Sequence, residues 1–132
     1  MIIKINDGPK PNKKKTSKET TIGKKWLKRL HRIIDEYIED AGLNNERLAQ
    51  ELGLSERHLF RKIKAFTGKS PQKYLSSYRL NIAKEYLENG VYKTVKETSF
   101  SVGFRNTSYF IRQFERKFGK KPLQVLREEG WR

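Results

Sequence analysis

The chain has 132 residues, of which 30 are Lys or Arg and 15 are Asp or Glu, so its formal net charge is +15. It contains no cysteine, which excludes a disulfide framework, a thiol nucleophile and a cysteine-based zinc site. No apolar run approaches the ~20 residues that cross a bilayer, and the N-terminus lacks the apolar segment of a secretory signal. We therefore expect a soluble, cytoplasmic protein of one or two small domains whose partner is an anion and not a membrane.

Residues 1–25 differ in composition from the rest of the chain. They carry eight Lys and two acidic residues, and Pro9 and Pro11 interrupt any regular element. After Ile5 this segment has almost no apolar side chain to bury. We predict a flexible basic linker or tail over residues 1–25, followed by a folded body over residues 26–132.

The first half of the body has the apolar periodicity of helices. From Trp26 to Ile38, seven apolar residues recur on one helical face. Two shorter helices follow: Asn44 or Asn45 can cap the first, Gly53 supplies the turn between them, and a glycine at position 68 ends the second. No strand-like alternation is present after the N-terminal residues.

The second half of the body begins with strong helix-start signals. Ser70-Pro71 combines a capping hydroxyl with proline at the first helical position, which predicts a long helix over residues 71–88. Thr94 and Glu97 have the spacing of a capping box, Asn106 precedes a further helix, and Pro122 opens a last short one. The chain is therefore predicted to be all-α, with about seven helices.

The sequence contains a weak internal repeat. Residues 68–71 (GKSP) match residues 119–122 (GKKP), an offset of 51, and residues 52–54 (LGL) match residues 102–104 (VGF), an offset of 50. Each copy reads as a short helix, a glycine-containing turn and a longer helix, which is the helix-turn-helix arrangement. We predict two such units, over about 26–69 and 94–129, joined by the 71–88 helix.

The outer faces of the two longer helices correspond. Helical geometry places Arg57, Phe60, Arg61 and Lys64 opposite the apolar face of the first helix, and Ser108, Ile111, Arg112 and Glu115 opposite that of the second. Arginine can bond to guanine in a fork, and a small apolar group can contact the thymine methyl. The alternative interpretation is that the arginines are solvated charges and that the apolar residues flank the core.

These patterns resemble a known family. The first motif runs through Leu48-Ala49, Leu52-Gly53-Leu54-Ser55, Leu59, Arg61-Lys62-Ile63-Lys64, Thr67-Gly68 and Ser70-Pro71; the second runs through Val102-Gly103-Phe104, Asn106, Ser108-Tyr109-Phe110, Arg112, Phe114, Phe118-Gly119 and Pro122. They are similar to the two halves of the AraC/XylS-type DNA-binding domain, and the similarity covers about residues 26–127. The sequence departs from that pattern where Asn45, Thr98, Ser99 and Val125-Leu126 replace the usual residues.

The resemblance implies a sequence-specific transcription regulator that inserts two recognition helices into successive major grooves of double-stranded DNA. It implies base-reading roles for seven residues: Arg57, Phe60, Arg61, Thr107, Ser108, Ile111 and Arg112. Six further residues are candidate phosphate contacts, at helix N-termini or as polar and basic side chains beside them: Ser55, His58, Lys62, Lys69, Arg105 and Asn106. Because one chain carries both units, we expect an asymmetric DNA element whose half-sites lie about one helical turn, or roughly 34 Å, apart.

Most members of this family carry a separate sensing or dimerisation domain, which residues 1–25 are too short to provide. Three explanations remain: a free-standing regulator, a fragment of a longer regulator, or the output domain of a hybrid two-component protein that follows a phosphoreceiver through a Lys-rich linker. The last two are favoured, and dimerisation would then depend on a sensing or receiver domain that this chain lacks. RNA polymerase is a further candidate partner.

Two other classes of function compete with this interpretation. The only histidines are His31 and His58, and no Cys/His cluster or phosphate-binding glycine loop accompanies them. We therefore expect no catalytic residue, no metal site and no cofactor. The second competitor is a charge-driven, non-specific nucleic-acid-binding protein. RNA is less favoured as the ligand, since A-form major grooves do not admit a helix.

Overall fold

The computed structural model describes the backbone of residues 17–132 and the side chains of residues 23–132. This range is all-α, as predicted, and contains no strand. The α-helices are α1 (Ser17–Glu36), α2 (Asn45–Leu52), α3 (Glu56–Thr67), α4 (Pro71–Glu88), α5 (Val95–Ser101), α6 (Thr107–Phe118) and α7 (Pro122–Val125), and a π-helical turn over Leu126–Gly130 continues α7. None of these helices is long and apolar enough to span a membrane.

The described residues divide into two compact units. The N-terminal unit contains residues 17–37 and Leu43–Ser76, and the C-terminal unit contains Ile38–Gly42 and Ser77–Arg132. The division falls inside α4, whose bounds coincide with the predicted 71–88 helix. Residues 71–76 of this helix therefore belong to the N-terminal unit, and the rest of it belongs to the C-terminal unit.

Helix α1 begins earlier than its apolar stripe indicates. It starts at Ser17, so residues 17–25 of the predicted tail are helical, whereas residues 1–16 lie outside the described residues. Gly23 is buried, and a Cβ at this position would lie 3.1 Å from the ring of Phe66. The stripe therefore continues one turn before Trp26 through a residue with no side chain, which an apolar pattern cannot reveal.

The N-terminal unit contains the first helix-turn-helix, formed by α2 and α3. Asn44, and not Asn45, caps α2: its side-chain oxygen accepts a hydrogen bond from the Arg47 N–H at 2.9 Å. Gly53 adopts the left-handed conformation (φ 69°) that turns the chain toward α3. The buried apolar side chains of this unit come from α1, the loop that follows it, α2, α3 and the start of α4: Leu30, Ile34, Leu43, Leu48, Ala49, Leu52, Leu59, Ile63, Tyr74 and Leu75.

The C-terminal unit contains the second helix-turn-helix, formed by α5 and α6. As predicted, Thr94 caps α5: its hydroxyl oxygen accepts from the Glu97 N–H at 3.0 Å. The core combines aliphatic side chains with a row of aromatic rings. Phe110 and Phe114 are fully buried. Their rings are the middle two of a row of four, in which the Phe104–Phe110, Phe110–Phe114 and Phe114–Phe118 centroids are 5.1, 5.7 and 4.6 Å apart.

Arg79 of α4 ties the second helix-turn-helix to the segment that follows α1. Its Nη1 donates to the carbonyl oxygens of Ile38 (2.7 Å) and Val102 (2.6 Å), and its Nη2 donates to that of Asp40 (3.0 Å). Burial lowers the pKa of this guanidinium, and the charge of Asp40 opposes that shift. Gly103 lies against the same group with φ +90°, and a Cβ there would overlap the guanidinium. This position therefore admits no side chain.

Four of the five departures from the family pattern lie inside the C-terminal unit, and the fifth, Asn45, is the first residue of α2. Thr98 and Ser99 are completely buried in α5. The Thr98 hydroxyl donates to the Thr94 carbonyl at 3.0 Å, whereas the Ser99 hydroxyl has no hydrogen-bond partner. Val125 and Leu126 are also buried, so these apolar replacements add to the core.

Candidate nucleic-acid interface

Helix α3 presents the predicted outer face of the first unit. Leu59 and Ile63 are 0% and 1% exposed, so this face of the helix is fixed against the core. Arg57, Phe60 and Arg61 lie on the surface. Phe60 is 48% exposed, so about half of this side chain is available for contact with a partner. The structure therefore brings together at the surface all three residues assigned to this helix.

Helix α6 presents a less uniform outer face. Ser108 and Arg112 are exposed, whereas Thr107 and Ile111 are half-buried. Ile111 also lines an apolar groove with Leu123 of α7, so part of its side chain turns away from the outer face. The predicted equivalence between positions 60 and 111 therefore holds along the sequence but not in exposure, since Phe60 is exposed and Ile111 is half-buried.

Tyr109 is a surface residue of α6 that the sequence pattern did not single out. Its ring is 45% exposed and lies 6.3 Å from the ring of Phe104, between centroids. The Arg112 guanidinium lies 6.0 Å from the same tyrosine ring. The sequence could have indicated this contact, because residues three positions apart lie on the same face of a helix. We expect Tyr109 to hold Arg112 in position, because cations are attracted to aromatic faces.

The N-termini of both helices have the geometry of anion sites. Ser55 caps α3, and its oxygen accepts from the His58 N–H at 3.1 Å; Asn106 caps α6, and its side-chain oxygen accepts from the Tyr109 N–H at 2.9 Å. The two sites differ in charge, since α3 has Glu56 in its first turn and the first turn of α6 has no acid. The N-terminus of α6 is therefore the better phosphate site of the two.

The remaining candidate phosphate contacts divide into two groups. His58 and Arg105 are exposed, next to the two caps. Lys62 is half-buried, and its Nζ lies 5.0 Å from the centroid of the Trp26 ring. Lys69 is also half-buried, and its backbone N–H donates to the Thr67 hydroxyl at 3.1 Å.

The described side chains include no group of three or more His, Asp or Glu that could hold a metal ion. Nε2 of His31 lies 2.6 Å from the Tyr74 hydroxyl, inside the N-terminal unit. His58 lies in the first turn of α3.

A family model described as a helix-turn-helix domain matches residues 48–128. Histidine kinase P4 of Formosa agariphila is 31% identical over 105 residues, which are 80% of this chain but only 8% of the kinase. The C-terminal domain of the two-component response regulator yesN from Fusobacterium nucleatum is 27% identical, with a TM-score of 0.68, over 77% of this chain and 98% of that one. The DNA-binding domain of the transcriptional factor AdpA, solved with a target DNA, is 25% identical with the same TM-score over 77% and 90% of the two chains.

Proposed function

The chain belongs to the AraC-type family of helix-turn-helix domains, which are sequence-specific DNA-binding transcription regulators, and we propose that α3 and α6 are its two recognition helices. One observation carries this proposal. Both helices have 12 residues, a polar N-cap, a left-handed glycine after the last turn, a buried inner face and an exposed arginine, Arg61 or Arg112, at the equivalent outer position. A helix with such a face fits the major groove of B-form DNA.

In this proposal the exposed side chains divide into readers and phosphate contacts. Arg57, Arg61 and Arg112 bond to base edges, and Phe60 and the exposed part of Ile111 contact thymine methyl groups. Thr107 and Ser108 add polar contacts at the start of α6. Backbone N–H groups at the starts of both helices, with the neighbouring His58 and Arg105, hold the phosphates and fix the orientation of the helices.

The site is tested first by selecting bound sequences from a random duplex pool. We expect two short conserved boxes about ten base pairs apart, because each recognition helix reads its own stretch of major groove. A pool with no enriched sequence would contradict the proposal. It would favour the charge-driven, non-specific binder that a net charge of +15 also allows.

The second test separates readers from phosphate contacts. Arg61→Ala should weaken binding to the selected duplex by about 1–3 kcal/mol and binding to random duplex much less. Arg32→Ala removes an exposed arginine of α1 and is the matched control for loss of charge. If Arg61→Ala weakens both duplexes equally, Arg61 is a phosphate contact and not a reader. The same comparison applies to Arg112→Ala.

We also propose that the chain is the output part of a two-component regulator. The support is its similarity to a small part of a histidine kinase and to a response-regulator C-terminal domain. A receiver domain would then control dimerisation, and the DNA-bound regulator would act on RNA polymerase in the cytoplasm. Reading the coding DNA upstream of residue 1 tests this proposal, because an open frame that encodes a receiver should precede it.

A domain of this type binds DNA without turning over a substrate, so we assign the chain no catalytic role.

A further inference from the structure

An apolar groove of about 480 Å³ lies on the C-terminal unit, beside α6. Residues from α5, α6, α7 and the C-terminal turn form it, so it belongs to one unit alone. Its apolar lining consists of Val95, Ile111, Pro122, Leu123, Leu126 and Trp131. The volume is in the range of about 300–1,000 Å³ that is typical of binding cavities.

The groove has a rigid floor and projecting walls. Leu126 is fully buried below it, whereas Leu123 and Trp131 are 39% and 54% exposed at its edges. Two hydrogen bonds hold Trp131: its N–H donates to the Leu126 carbonyl at 2.8 Å, and its indole Nε1 donates to the Lys93 carbonyl at 3.3 Å. The apolar surface is therefore preformed, and it extends beyond the cavity onto the surrounding surface.

The charged residues that line the groove are positive. Lys93 and Lys121 are exposed and line it, and none of its lining residues is acidic. On the neighbouring C-terminal turn, the Glu128 carboxylate lies 4.0 Å from Lys120 Nζ and accepts a hydrogen bond from Gln124 at 3.2 Å. A complementary ligand therefore combines apolar side chains with negative charge.

We propose that this groove binds an acidic segment of a protein partner, which inserts large apolar side chains between Leu123 and Trp131. DNA does not fit, because phosphates cannot replace water in an apolar cavity. A small molecule would leave the projecting walls uncovered, whereas an amphipathic helix would cover them and place its acids near the two lysines. Since Ile111 belongs both to the groove and to recognition helix α6, the partner would bind next to the DNA.

The experiment is a selection of random 16-residue displayed peptides on the full chain, with saturating duplex DNA present. The DNA occupies the recognition helices, so peptides that merely compete for them are lost. We expect the enriched peptides to be acidic and to carry large apolar residues three or four positions apart. Leu123→Glu should weaken their binding by about tenfold or more, since it places a charge in the apolar contact. Val91→Glu changes another exposed apolar residue, outside the groove lining, and should leave the affinity within about twofold.

Several results would overturn the proposal. They are no enriched peptide, enriched peptides that are acidic without apolar residues, and equal binding to the wild-type and Leu123→Glu chains. An apolar anion such as 8-anilinonaphthalene-1-sulfonate that binds in a Leu123-dependent way, while no peptide displaces it, would make the groove a small-molecule site instead. Duplex affinity is measured on each variant, so loss of DNA binding is distinguished from loss of peptide binding.

Discussion

Arg79 and Gly103 fix the turn that leads into α6, and each depends on the other. Three backbone carbonyls bond to one buried guanidinium, and a glycine leaves room for it. The sequence revealed the glycine through the repeat. It did not reveal the partner, because an arginine on a long helix is normally a surface residue.

Gly103→Ala is expected to lower the free energy of unfolding by about 3 kcal/mol or more, because it combines left-handed strain with loss of charged hydrogen bonds. Gly119→Ala is the matched control, since Gly119 also has positive φ (73°) but a Cβ there would meet nothing within 4 Å. The control should cost about 1 kcal/mol. Urea denaturation measures both, and equal losses would show that Arg79 does not constrain position 103.

Ser99 and Ser101 provide a second residue-level comparison. Both are buried in α5, but only the Ser101 hydroxyl is bonded, to the Thr98 carbonyl at 2.7 Å. Ser101→Ala should therefore lower the free energy of unfolding by about 1 kcal/mol. Ser99→Ala removes an unsatisfied hydroxyl and should leave stability unchanged or raise it by up to about 1 kcal/mol. A larger loss at Ser99 than at Ser101 would contradict this account.

The outer faces of α3 and α6 were only partly predictable from the sequence pattern. Arg61 and Arg112 were correctly placed on the surface, because the period of a helix follows from spacing alone. The half-burial of Ile111 was not predictable, since it depends on where α7 returns in space. What either arginine contacts on DNA stays a prediction.

The helices themselves were the most predictable part of the protein. Helix α4 matched its predicted bounds, and the caps at Thr94 and Asn106 were confirmed, because capping chemistry is local. The start of α1 was harder to predict, because Gly23 is buried but has no apolar side chain that would indicate it. The position inside α4 where the helix passes from one unit to the other was not predictable, because the sequence of a continuous helix does not change there.

The cap of α6 allows a test that separates helix stability from phosphate contact. Aspartate caps a helix as well as asparagine does, so Asn106→Asp should keep the free energy of unfolding within about 0.5 kcal/mol. Its negative charge would repel a phosphate at the helix start and weaken binding by about 1 kcal/mol on selected and random duplexes alike. Fluorescence anisotropy measures the affinities. An unchanged affinity would mean that no phosphate lies at this N-terminus.

At the scale of the whole molecule, the positive charge should act on affinity more than on specificity. Residues 1–16 contain five lysines and one aspartate, and they precede α1. Deleting them should flatten the slope of log affinity against log salt by at most about 4. The order of preferred duplexes should stay the same. A changed order would show that this segment reads the DNA itself, and the salt titration would be repeated on each duplex to establish it.

The Arg79 hydrogen bonds also bear on the order in which the protein can fold during synthesis. They join residues 41, 39 and 23 positions apart along the chain. A ribosome has therefore released every residue of the N-terminal unit before the C-terminal unit can close around Ile38 and Asp40. A fragment that begins at Ser77 would contain Arg79 and Val102 but would lack two of the three carbonyls that the guanidinium binds. We therefore expect that the C-terminal unit does not fold without residues 38–42, although its sequence weakly repeats that of the first unit.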